Sequence, residues 1–156
     1  MTLAQSVQMK VCSVIAVALL AFGCAGDRTH ATVSIQGGGV DELALAQAID
    51  LWRAGTDGAV DLTLVDGDST ADLVIRVGVT KARECAVTDI DSGEVVVNAS
   101  ASDKCKRQWV AVLAHEIGHY VANRADHSKN YRALMWPVTH DATSITDADR
   151  DYLKGN

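Results

Sequence analysis

Hydrophobic and polar positions divide the chain into an unbroken apolar front and a body in which they alternate. From Val11 to Ala25 every residue is apolar or small, with Lys10 before the stretch and Asp27 after it. Fifteen helical residues rise about 22 Å, short of the ~30 Å hydrocarbon core of a membrane. A basic flank, a short apolar run and small residues have the layout of a signal peptide, assigned to residues 1–23. A buried core helix is the other reading, but nothing polar gives the run an amphipathic face. Residues 24–31 follow as a polar tether, and residues 32–156 as one domain.

Within that domain Thr32–Gln36 alternates like a strand, and Gly37-Gly38-Gly39 breaks it. Asp41 can cap a helix running to about Arg53, with Leu45, Ala48, Ile49 and Trp52 on one face and Gly55 at its end. Val60–Val65, Leu73–Val79 and Glu94–Asn98 read as further strands. A helix from about Lys104 to Ala122 is apolar nearly all round in its middle, the pattern of a buried helix. Thr146 and Asp149 form a capping box for a last helix ending near Gly155. The order of elements predicts an α/β (α+β) domain with a mixed twisted sheet.

Composition changes this picture in two ways. Hydrophobic residues reach 48% while aromatics are only 4%, so the core must be built mainly from aliphatic side chains. The net charge of −6 offers no basic stripe for phosphates, which excludes a general nucleic-acid binder. No repeat or low-complexity tract occurs. Export would leave Cys85 and Cys105 as an even pair in an oxidising compartment. A bridge between them closes a loop worth on the order of 3 kcal/mol by chain entropy. Two free thiols or a metal pair are the alternatives, though the spacing lacks a CxxC pattern. Cys24, after Leu20-Ala21-Phe22-Gly23, can be the lipidated residue of a bacterial lipoprotein box, while Ala21-x-Gly23 also suits simple secretion. A membrane enters only through that anchor, and the domain is expected to be an exported monomer.

The buried helix carries His115-Glu116-Ile117-Gly118-His119. Histidines four residues apart fall within about 40° of each other around a helix, so both imidazoles can reach one ion. Zinc accepts neutral imidazole nitrogens, and the glutamate between can take a proton from water at the metal. A polar trio on an apolar helix calls for such compensation. A catalytic zinc needs a third protein ligand, and Glu116 is the last glutamate in the chain. His127, Asp126, His140 and Asp141 are the candidates downstream.

His115-Glu116-x-Gly118-His119, then His127-Ser128, then Ala133-Leu134-Met135-x-Pro137 resembles the catalytic end of the matrixins, a subfamily of metzincin zinc peptidases. The resemblance implies His115, His119 and His127 as ligands of one Zn2+, Glu116 as general base and Met135 as the methionine of a turn beneath the metal. It implies two long helices, a zinc-binding active-site helix and a C-terminal helix, and a protein or peptide substrate. Trp136 and Pro137 would border the side-chain pocket, with Trp136 equally suited to packing, and an edge strand within Val79–Val87 would pair with the substrate. Ala71–Ile75 and Gly93–Asn98 resemble upstream strands of that family. Two features depart from its pattern. Seven residues rather than five separate His119 from His127, and Ala122-Asn123 stands where the family has a glycine. Asn123 tolerates a left-handed conformation and can end the helix there. The short stretch between the two upstream strands holds no histidine, so structural zinc and calcium sites are not expected. Rival functions are a surface binding protein that does not cleave, and a zinc hydrolase of a cell-wall substrate. His30 and His140 read as surface residues, and Trp52, Arg53 and Trp109 as packing.

Overall fold

A computed structural model describes residues 28–67, 70–81, 84–138 and 143–155. The leader, Cys24, His140 and Asp141 lie outside the described residues. Among the described residues no helix is long and apolar enough to cross a membrane.

The domain is a mixed α/β structure. Five strands, β1 (Thr32–Gln36), β2 (Thr63–Val65), β3 (Leu73–Gly78), β4 (Ala86–Asp89) and β5 (Glu94–Asn98), form one sheet in the order β2-β1-β3-β5-β4. All neighbours run parallel except β4, which lies antiparallel to β5 at the edge. Register places Val33 beside Leu73 and Ile75 beside Val95. These side chains, with Val97, fill the buried face. β-branched residues at alternate positions suit this surface, one face packed and the other carrying polar groups such as the Arg76–Glu94 ion pair.

Two helices of 14 residues cover the buried face: α1 (Glu42–Gly55) and α3 (Trp109–Ala122). Asp41 caps α1 by accepting from the Ala44 N–H at 3.1 Å. The expected face of α1, Leu45, Ala48, Ile49 and Trp52, is buried. Trp52 does more than pack, since its indole N–H donates to the Ala114 carbonyl at 2.7 Å and locks α1 to α3. Arg53 sits at the surface between Asp50 and Asp61.

Three expectations are corrected in detail. The helix expected from Lys104 is two helices, α2 (Asp103–Arg107) and α3, broken at Gln108. Only Cys105 of α2 is buried, and it is bonded to Cys85 beside β4, which ties the short helix to the sheet edge. The second strand is only Thr63–Val65. Val60 and Leu62 are buried, yet their segment pairs through Asp61 N–H to the Thr29 carbonyl, upstream of β1. The edge strand facing the site is Ala86–Asp89, which overlaps the end of the Val79–Val87 window and runs past it through Thr88 and Asp89, and Val79 is itself solvent-exposed. The last helix, α4 (Asp147–Leu153), begins with the capping box of Thr146 and Asp149.

The described chain meets the domain before Thr32. Arg28 stacks over the Tyr120 ring, 4.9 Å from its centre, and the Ala31 carbonyl accepts from Thr63 N–H.

Candidate metal centre

The site begins with the middle of α3, where His115, Glu116 and His119 are buried among apolar neighbours. Buried polar groups must be satisfied, and each of these is. His115 Nδ1 donates to the Leu134 carbonyl at 2.8 Å, and His119 Nδ1 donates to the Arg124 carbonyl at 2.8 Å. Protons on Nδ1 put the lone pairs on Nε2, and the two Nε2 atoms face each other at 3.1 Å. Two acceptors held so close call for a cation or a proton between them.

α3 ends at Asn123, whose left-handed backbone (φ 52, ψ 44) turns the chain as a glycine would. The spacer that follows is folded on itself. Arg124 grips Asp126 with both arms of its guanidinium, at 2.9 and 2.7 Å, and lies over the Tyr152 ring. Tyr152 donates its hydroxyl to the Asp126 carbonyl at 2.8 Å and lies 3.2 Å from His119 Nδ1. Burial pushes the Tyr152 phenol up to about 12, so it remains a donor at neutral pH. Seven residues thus span the gap compactly, and His127 returns to the two helix histidines.

Ligand atoms of His115, His119 and His127 all lie within 4.8 Å of one another. The His127 ring stacks on His115 at 5.2 Å and meets His119 edge-on at 4.8 Å. Asp126, the rival third ligand, is outside this group, and the neighbouring Arg124 holds its carboxyl below the usual range. Burial lowers the pKa of both His119 and His127, which keeps the imidazoles neutral as metal ligands require. Three neutral nitrogens without a carboxylate suit zinc rather than calcium or magnesium, which take oxygen ligands. The group can therefore hold a metal ion.

Beneath the histidines the chain makes a tight turn through Ala133, Leu134 and Met135, all buried. Met135 is fastened at both ends of its peptide. Its N–H donates to Asp149 Oδ1 at 2.9 Å, and its carbonyl accepts from Ser128 N–H at 2.8 Å. Because Ser128 follows His127, the second bond also anchors the loop that bears His127. The Met135 thioether packs on Gly118. A Cβ at Gly118 would run into Met135 Sδ and come within 2.7 Å of Trp52 Cζ2. Only glycine permits this approach between His115 and His119.

Glu116 sits beside the imidazoles with Oε2 accepting from the Thr88 hydroxyl at 2.6 Å. Burial raises its pKa, while the Thr88 hydrogen bond opposes the shift. A cleft of about 620 Å³ opens over these groups. β4 and the Cys85–Cys105 disulfide form one wall, and Pro137 and Val138 border the other side. Trp136, expected beside Pro137, does not line the cleft. Its N–H closes the turn to the Ala133 carbonyl and its side chain is half-buried, while Pro137 and Val138 line the cleft. Sequence reasoning missed Thr88, Arg124 and Tyr152. It read Asp149 only as a helix cap, not as the support of Met135.

No family model and no curated protein matches the chain. Among solved structures it is similar to one described as "Structure of myroilysin", with 8% sequence identity and a TM-score of 0.49, over 83% of this chain and 93% of that one. So shallow a likeness leaves the function to be argued from the residues themselves.

Proposed function

We propose that the chain is an exported zinc endopeptidase that resembles the matrixins and acts as a monomer on extended peptide or protein substrates. The observation that carries this reading is the convergence of three metal-competent imidazoles on a buried glutamate in an open cleft. His115, His119 and His127 would hold zinc through nitrogen. Zinc held there supplies Lewis acidity, which acidifies water and polarises a substrate carbonyl.

Glu116 then has the work of the base. Thr88 occupies Oε2, so Oε1 is the atom to take the water proton and return it to the leaving amine nitrogen. Its burial fits that task, because a raised pKa brings a carboxylate closer to the neutral range where it both accepts and donates. β4 supports an extended substrate, since an open sheet edge beside a cleft accepts a further strand. The disulfide supports export to an oxidising compartment, by lipidation at Cys24 or by simple secretion.

The test is zinc content together with cleavage of casein or a peptide library. Wild-type chain retains zinc and cleaves, whereas Glu116→Ala retains zinc and loses about 10²–10⁴-fold in rate. Zinc retention without Glu116-dependent cleavage of any peptide would overturn the proposal.

A further inference from the structure

Thr88 stands at a junction between two parts of the site. Its hydroxyl is 2.6 Å from Glu116 Oε2 and 3.0 Å from the Glu116 carbonyl oxygen, so it touches both ends of that residue. The carboxylate contact is the shorter and is charge-assisted, which makes it the one to receive the proton. The strand that carries Thr88 is an edge. Among the described residues β4 is hydrogen-bonded only to β5 within the sheet.

The ladder determines which way each residue of β4 faces. Asn98 N–H donates to the Cys85 carbonyl at 3.0 Å, which makes Cys85 and Asn98 a hydrogen-bonded pair. Antiparallel pairs alternate, and the register sets Val87 opposite Val96 and Thr88 opposite Val95. Val87 and Asp89 therefore turn their peptide groups toward β5. Ala86 and Thr88 turn theirs toward the open edge, where an added strand would pair.

We infer that Thr88 is a positioning residue that couples docking of an extended peptide to the orientation of the Glu116 carboxylate, an inference that rests on the peptidase reading above. One residue offers its N–H and carbonyl to the substrate strand and its hydroxyl to the base. A strand paired on one side only can rock about its ladder, and the direction of the Thr88 Cα–Cβ bond moves with it. A peptide bonded to the outer side fixes that backbone and, through the hydroxyl, the carboxylate. Substrates long enough to pair with β4 thus gain in kcat as well as in binding.

The experiment compares wild type, Thr88→Val and Thr88→Ser on a long peptide and on a version truncated to the residues flanking the scissile bond. Valine keeps the branched shape that suits a strand and removes only the hydroxyl; serine restores it. Thr88→Val should lower kcat on the long peptide by about ten- to a hundredfold, with KM changed by no more than about threefold. Thr88→Ser should recover most of that loss, and zinc content and melting temperature should match wild type in both. The advantage in kcat of the long peptide over the short one should shrink in Thr88→Val. Full kcat in Thr88→Val, equal losses in the valine and serine variants, or an undiminished length advantage would overturn the inference while leaving the peptidase reading intact. A wild-type chain that cleaves no peptide would overturn both.

Discussion

The three histidines reach the same point by different means. His115 and His119 stand on one buried helix, each with Nδ1 bonded to a carbonyl of the loop that follows. Their geometry is a property of the helix repeat and of a packed interior. His127 stands on a loop and is half-buried. Its place depends on Asn123 turning the chain, on the Arg124–Asp126–Tyr152 cluster filling the spacer, and on Ser128 bonding to Met135. The helix pair is set by one element, whereas the third histidine is placed by contacts that lie apart in sequence. A metal site can therefore keep two ligands constant and vary the path to its third.

Loss of a ligand should produce the largest effect. His115→Ala and His119→Ala should abolish zinc retention, measured by competition with a chelator. His127→Ala should leave weak binding on the helix pair, reduced by more than the roughly 10–100-fold that loss of an outer partner costs. Asp126→Ala should stay within that range; if it instead strips the metal while His127→Ala keeps it, the roles assigned to the two residues are reversed. Next comes Gly118→Ala, which drives a methyl group into Met135 and Trp52. It should destabilise the fold by about 1–3 kcal/mol, read from urea melts of metal-free protein. An unchanged melt would mean that the methionine turn can yield. The smallest effect is expected from Tyr152→Phe, which removes a donor shared by the spacer and lying beside His119. About tenfold weaker zinc binding and a cost of about 1 kcal/mol should result. A larger loss of zinc than of stability would show that the phenol acts on the ligand itself, and the reverse that it acts on the spacer.

Local periodicity was enough to find the scaffold. Alternation marked Thr32–Gln36, the Val95-Val96-Val97 run marked Glu94–Asn98, and the apolar stripe marked α1, whose packed face repeats every third to fourth residue. The two helix histidines were legible for the same reason. His127 was legible as one of four downstream candidates, and resemblance singled it out and pointed to Met135, since their approach to the helix depends on a loop. Contacts without a local pattern stayed hidden. Thr88 meets Glu116 across 28 positions, and Tyr152 meets Asp126 across 26. The break at Gln108 was hidden as well, because helical propensity runs through it, and a covalent tie at Cys105 lies outside any propensity. Trp136 was open to two readings, pocket border or packing, and it is half-buried and absent from the cleft lining.

The bond between Cys85 and Cys105 encloses both β4 and β5 within its 20-residue separation. If the cleft accepts extended chains, as proposed, other copies of this protein are among them, and the segment in greatest danger is the β4 edge beside the cleft. A single cut between the two cysteines leaves the pieces covalently joined, and a cut in the turn between the strands leaves β4 paired with β5 and β5 with β3. Such a nicked molecule would run as one band without reductant and as two with it, so damage to the rim need not dismantle the centre it serves.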